Sequence, residues 1–159
     1  PIGVLASENE DLTQDESVVT ITSADQLKEL AASVNNGTSD YNGKTVKLLN
    51  DIDLGGNDDN PWTPIGVYTS STDIKSFKGT FDGNGKTISG IYVNSTKSYQ
   101  GLFAYNSGTI QNLTVAGTIS GKGNVAGVAG YNIGTITGCK NQVIIQAAST
   151  AAARRGPAA

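Results

Sequence analysis

Asp51, Asp53, Asp58 and Asp59 are the densest group of hard-metal ligand types in this chain. They lie in the run Asp51-Ile52-Asp53-Leu54-Gly55-Gly56-Asn57-Asp58-Asp59-Asn60. Calcium asks for several oxygens at about 2.4 Å, but this run lacks the glycine and terminal Glu spacing of an EF-hand loop. Ile52 and Leu54 alternate with Asp51 and Asp53, which puts those two carboxylates on the outer face of a strand. The expectation is therefore a solvated acidic loop, with no metal-ligating residue assigned. The single thiol, Cys139, cannot close an internal disulfide. Its place in a repeat described below matches Leu113 and Ile91, so it reads as a small buried apolar residue. Lys140, beside it, points the other way on a strand and is not placed to activate it.

Nucleophilic and acid–base chemistry is further limited by what the chain lacks. It contains no histidine, which removes Ser-His and Cys-His pairs. No carboxylate follows Asp82, so the later copies of the repeat cannot supply the paired acids of a glycosidase. β-Helical polysaccharide lyases gather acidic calcium ligands and a basic residue on one face, and here only the part up to Asp82 could contribute acids. No catalytic, cofactor-binding or metal-ligating residue is expected. The remaining chemistry is recognition. Trp62 lies in the rigid stretch Pro61-Trp62-Thr63-Pro64-Ile65-Gly66. Burial is the expected fate of its ring, with a sugar-stacking platform as the competing one. Tyr68 and Tyr99 are further candidate stacking groups. A discrete sugar site built on Trp62 would lose binding on Trp62→Ala and not on Tyr131→Ala.

Charge is divided along the chain. Up to Asp82 there are five cations against all fourteen acids; after it come only Lys86, Lys97, Lys122, Lys140, Arg154 and Arg155. Six scattered cations are too few for a nucleic-acid groove. An acidic first part on a nearly neutral, hydroxyl-rich remainder is the simplest reading. Apolar content is 37% and charged content 16%, and twenty glycines favour turns over long helices. There is no long apolar run, so membrane insertion is not expected.

The elements that would hold these residues come from an internal repeat. Phe103-Ala104-Tyr105-Asn106-Ser107-Gly108-Thr109-Ile110-Gln111-Asn112-Leu113-Thr114-Val115 returns downstream as Ala129-Gly130-Tyr131-Asn132-Ile133-Gly134-Thr135-Ile136-Thr137-Gly138-Cys139. Upstream it appears as Phe81-Asp82-Gly83-Asn84-Gly85-Lys86-Thr87-Ile88, and more faintly around Asn42-Gly43-Lys44-Thr45-Val46. The threonines at 45, 87, 109 and 135 are 42, 22 and 26 residues apart, the first step fitting two turns. Such a period indicates a solenoid. Thr, Ile, Val and Tyr suit strands, and the Gly and Asn at matching places suit left-handed corners. Stacked coils would place Val46, Ile88, Ile110 and Ile136 in one interior column. Asn42, Asn84, Asn106 and Asn132 would fill a corner column. An antiparallel sandwich is the competing β-fold, but the repeat keeps its register across more than one strand.

Residues 1–17 read as a disordered acidic segment; Val4-Leu5-Ala6-Ser7 has the small-residue character of the end of a secretory signal. Residues 18–36 read as an N-terminal strand-helix cap. Val18 to Thr22 is the strand, Ser23 and Gln26 make a capping box, and Leu27, Leu30, Ala31 and Val34 share one helical face before Asn36-Gly37. Residues 37–145 are the β-helix rungs, with 67–77 a polar loop. Asn94–Gln100 and Ala116–Val125 are insertions projecting on one side, where Tyr99 and Lys122 carry the recognition value. Residues 146–159 are an alanine-rich tail or an expression remnant. Asn36, Asn94 and Asn112 head sequon-like triplets that an Asn/Thr-rich chain produces by chance.

The segments Leu49-Asn50-Asp51-Ile52-Asp53-Leu54, Trp62-Thr63-Pro64-Ile65-Gly66, Phe77-Lys78-Gly79-Thr80-Phe81-Asp82-Gly83-Asn84-Gly85-Lys86-Thr87-Ile88 and Gly101-Leu102-Phe103-Ala104-Tyr105-Asn106 arrive in that order. This resembles the GLUG-repeat bacterial surface proteins. It is similar to the non-catalytic β-helical region that precedes the peptidase domain in immunoglobulin-A-cleaving metallopeptidases of Gram-positive bacteria. The resemblance covers about residues 18–145. It implies an all-β fold, a right-handed parallel β-helix, an extracellular or cell-surface location and a place within a longer chain. Two departures stand out. Val128-Ala129-Gly130 replaces Leu102-Phe103-Ala104 in the last copy. Without histidine, no His-x-x-x-His zinc site can exist here.

The function expected is a non-catalytic extracellular module of a bacterial cell-surface or secreted protein: a stalk, spacer or adhesive surface. A carbohydrate-binding module is the alternative, and a lyase-like enzyme fragment a more remote one. Host or cell-wall glycan or protein would be the partner. An open last rung would favour end-to-end self-association.

Overall fold

The computed structural model describes residues 15–147. The acidic segment up to residue 14, its signal-like stretch, and the tail from 148 lie outside the described residues. The chain winds as a parallel β-solenoid of about five turns with one helix near its start. Strands β1 (Val18–Ile21), β2 (Thr45–Leu48), β6 (Thr80–Asp82), β9 (Thr109–Gln111) and β12 (Thr135–Thr137) form one parallel sheet in that order. A second sheet runs β3 (Ile52–Asp53), β7 (Thr87–Asn94), β10 (Thr114–Gly121) and β13 (Lys140–Ala147). The third edge is β8 (Phe103–Asn106) on β11 (Ala129–Asn132), joined by bridges from Ile65 to Phe103 and from Phe77 to Asn106.

Parallel stacking aligns like residues and buries the apolar ones in columns. Val19, Val46, Phe81, Ile110 and Ile136 lie successively over one another. Ile52, Ile88 and Val115 form a separate column on the second sheet. Phe77, Phe81 and Phe103, all fully buried, meet edge to face with ring centroids 5.3 to 6.2 Å apart. Such pairs add to the apolar area their rings remove from water.

The corners explain the Gly and Asn positions. Asn84 (φ 53°), Asn112 (φ 53°) and Gly138 (φ 63°) hold the left-handed turn between the first and second sheets in three successive coils. At another corner Gly79, Gly108 and Gly134 stack so closely that a Cβ on Gly134 would strike the carbonyl of Gly108, and one on Gly108 that of Gly79. Asn106 donates from Nδ2 to Asn132 Oδ1 at 2.7 Å, so the expected Asn column is a pair here, with Phe77 bridging to the other side of Asn106.

Several expectations change. Ile88 does not stack on Ile110; Phe81 does, and Thr80 rather than Thr87 sits beside Thr109. Two successive coils each carry two Thr-apolar edges, Thr80-Phe81 with Thr87-Ile88 and Thr109-Ile110 with Thr114-Val115, and Thr87-Ile88 belongs to the second edge. Asn84 accordingly belongs with Asn112, and its Nδ2 donates to Leu48 O at 3.0 Å. Thr45 lies directly beside Thr80, so only one turn separates them. That turn is long because residues 67–77 are not a loop. They include an antiparallel hairpin, β4 (Val67–Ser70) on β5 (Asp73–Lys75). Residues 116–121 continue β10 instead of projecting. β1 pairs in parallel with β2 and so belongs to the first sheet.

Helix α1 (Ala24–Asn35) begins as its sequence predicts, with Ser23 Oγ accepting from Gln26 N at 3.3 Å. Gln26 Oε1 returns to Thr22 N at 2.7 Å, one residue earlier than a standard capping box. Leu27, Leu30, Ala31 and Val34 are buried in the common core. Gly37 (φ 82°) follows the helix in the left-handed conformation.

The last coil is different. Ile133 is 62% exposed and Ile144 63%, and Ile136 and Ile145 are exposed as well. Burial therefore decides the stability of each coil. Phe81→Ala is expected to cost about 3–5 kcal/mol in urea unfolding, while Ile133→Ala costs less than about 0.5 kcal/mol. Equal losses would contradict the described core.

Candidate functional site

Asn35, at the end of α1, ties the helix to the coil. Its Nδ2 donates to Pro64 O at 3.0 Å and its Oδ1 accepts from Gly66 N at 2.7 Å. Prolines 61 and 64 keep the intervening segment extended, because the residue before each is pushed from the helical region. Between helix and segment runs a groove of about 520 Å³, with Lys28, Asn60 and Pro61 on its sides and Ala31 and Trp62 among its lining. A second groove of about 290 Å³ lies between this segment and the Lys97–Gln100 loop, bordered by Tyr68, Tyr99 and Lys97. Asn35 and Thr63 border both, so the two grooves adjoin across the Asn35 side chain and make up one trough-like face.

Trp62 is not an exposed platform. It is 4% exposed, and its Nε1 donates to Leu102 O at 3.0 Å. The burial expectation was correct. The aromatic surface lies instead on tyrosines. Tyr68 stacks on Tyr105 (6.2 Å, 3° between planes) and meets Tyr99 at 4.7 Å. Tyr131 meets Tyr105 at 4.8 Å and Tyr99 at 5.9 Å. Tyr68 and Tyr131 are exposed, Tyr99 is half-buried and Tyr105 is buried. Burial, followed by the three neighbouring phenols, pushes the Tyr105 hydroxyl above its usual range. Tyr131 is thus a member of the aromatic group and no neutral comparison for a sugar site.

The loops on this side stack as the shaft does. Lys122 N donates to Lys97 O at 3.0 Å, Tyr99 N to Gly123 O at 2.9 Å and Gln100 N to Asn124 O at 3.0 Å. Lys97 and Lys122 are therefore exposed neighbours on successive coils.

The acidic run is dispersed among local partners. Asp51 Oδ1 accepts from Thr87 N at 2.9 Å, Asp53 Oδ1 from Gly55 N at 2.8 Å and Asp58 Oδ1 from Tyr92 Oη at 2.6 Å. That last bond, more than burial, pushes the Tyr92 phenol up. Among the described residues no three of His, Cys, Asp and Glu come together as a metal cage would require. Among the described residues no helix is long and apolar enough to cross a membrane.

Cys139 is half-buried against the core, with Sγ 3.7 Å from Ile110 O and 3.5 Å from Thr137 O. Burial pushes its thiol above the usual range. Lys28, Asn35 and Lys97, which border the trough, carried no sequence signal. Tyr105 and Tyr131 did, since both precede the paired asparagines of their copies.

Comparison of the chain with protein-family models, with curated proteins and with solved structures finds no match.

A raised thiol pKa leaves less thiolate at neutral pH, and the deficit closes as pH rises above the usual thiol range. Disulfide-exchange labelling of Cys139 is expected to be slower in the folded than in the urea-unfolded chain, with the ratio shrinking towards high pH. Equal rates at neutral pH would contradict the burial of this side chain.

Proposed function

We propose that this chain is a non-catalytic, extracellular β-solenoid module of a bacterial cell-surface or secreted protein. The resemblance to GLUG-repeat proteins and to the β-helical region of immunoglobulin-A-cleaving metallopeptidases supports the setting. The observation that carries the reading is the rigid coil with a trough and an aromatic group fixed on its flank. Stacked strands advance about 4.8 Å per coil, so about five turns hold this flank in place over about 20 Å of the axis. A coil of that kind can serve as stalk, spacer or adhesive surface.

Carbohydrate binding is the form of adhesion with a specific observation behind it: Tyr68 and Tyr99 pair beside a groove. The lyase reading has little support. Asp51, Asp53 and Asp58 each hold a donor of this chain, and no histidine exists to share proton transfer. Screening the chain on a glycan array, and separately following polyuronate for unsaturated products with calcium present, tests the reading. Binding without product is expected; a steady release of unsaturated product would overturn it.

The exposed Ile133, Ile136 and Ile144 of the last coil favour stacking end to end with a second copy. Sedimentation is expected to show mass rising with concentration, and Ile133→Lys together with Ile144→Lys to abolish the rise. A constant monomer mass would remove this part of the proposal.

A further inference from the structure

We propose that the trough beside Tyr68 and Tyr99 binds a segment of acidic polysaccharide, a hydroxyl-rich chain carrying carboxylates. This rests on the carbohydrate-binding reading above and adds the class of glycan and the residues that hold it.

The first observation is shape. The two grooves, about 520 and 290 Å³, meet at Asn35 and Thr63. Two adjoining grooves of this size suit several sugar units better than one compact ligand. The second is chemistry. Tyr68 and Tyr99, packed on each other at 4.7 Å, leave apolar ring surface and hydroxyls at the groove, the two kinds of group a pyranose meets. Asn36, Asn60 and Thr69 place amide and hydroxyl groups along the walls.

The third observation is charge. Lys28 and Lys97 border the trough, and no carboxylate is among the residues lining either groove. Lys75 and Lys78, which border a neighbouring groove of about 400 Å³, are ion-paired with Asp73 at 2.8 Å and Asp40 at 3.4 Å. Among the described residues Lys28 and Lys97 form no such pair; Lys28 Nζ only reaches Asn60 Oδ1 at 3.3 Å. Lys122 adds a further cation one coil from Lys97. A protein with net charge −3 thus keeps this cleft free of acids, which fits an anionic ligand.

The fourth is backbone strain. Tyr99 has φ 64°, the left-handed region, where Asn84, Asn112 and Asn124 serve the other corners at 53° to 54°. Asparagine tolerates that conformation, while a bulky ring is a clear outlier there. Tyr41, also left-handed at φ 62°, places its ring against the buried Phe77 at 6.0 Å. Tyr41 thus belongs to the core, whereas the equally half-buried Tyr99 packs on the exposed Tyr68 and Tyr131 beside the groove. Strained backbone of this kind clusters at binding positions.

Calorimetry on the full chain tests this with three probes: an oligogalacturonate, a neutral oligosaccharide of equal length and poly-glutamate of matched charge. Binding of the oligogalacturonate alone is expected, weakening as salt is raised. Tyr99→Asn should keep or raise the melting temperature yet weaken binding by more than about tenfold. Lys97→Gln and Lys28→Gln should each reduce the preference for the acidic over the neutral glycan. Equal binding of acidic and neutral glycans would overturn the acidic class and leave a glycan-binding module standing. Equal binding of poly-glutamate would show charge alone at work and overturn the inference. Binding of no glycan, or full binding by a folded Tyr99→Asn chain, would overturn this inference, and the former would also remove the carbohydrate reading.

Discussion

Parallel pairing of each coil with the next is the interaction on which everything else in this molecule depends. A strand in such a stack satisfies its backbone donors and acceptors only through the coils above and below it. The pairing also fixes which side chain lies over which. Any position that points inward in one coil points inward in its neighbours, so the interior becomes columns such as Val46, Phe81, Ile110 and Ile136. Corners are constrained alike: Asn84, Asn112 and Gly138 all take the left-handed conformation. Where neighbouring backbones approach most closely, only glycine fits, as at Gly79, Gly108 and Gly134.

That constraint explains how much of the fold was legible. The repeat announced parallel coils, and the spacing of Leu27, Leu30, Ala31 and Val34 announced the helix face, because both are periodic and local. The alignment of the upstream copy was not legible. Gly85-Lys86-Thr87-Ile88 imitates Ser107-Gly108-Thr109-Ile110, yet it occupies the edge after it, because these two coils each pass twice through a Thr-apolar edge. The hairpin at Val67–Lys75 was missed for a different reason. Its strands are mostly exposed and polar, so they lack the alternation that burial imposes.

The trough was less legible than the fold because it joins elements far apart in sequence. Trp62 drew attention as the only tryptophan, yet its indole supports the coil from within by bonding Leu102. Tyr68 and Tyr99 gain their meaning only from being brought together, 4.7 Å apart, by the hairpin and a loop of a later coil. Asn35 gains its own from bridging the helix end to Pro64 and Gly66. A rigid scaffold with such fixed neighbours presents recognition groups without having to order them first.

The register can be measured directly. With Cys139 replaced by alanine, pairs of nitroxide labels can be placed at Thr80 and Thr109, at Thr87 and Thr114, and at Thr87 and Thr109. The first two pairs are in-register neighbours on adjacent strands, about 4.8 Å apart along the hydrogen-bonding direction. Strong dipolar broadening is expected for both, and clearly weaker broadening for Thr87 with Thr109. Strongest broadening in that third pair would mean that the coils stack one edge out from the arrangement described, and the columns, the corners and the trough would all have to be redrawn.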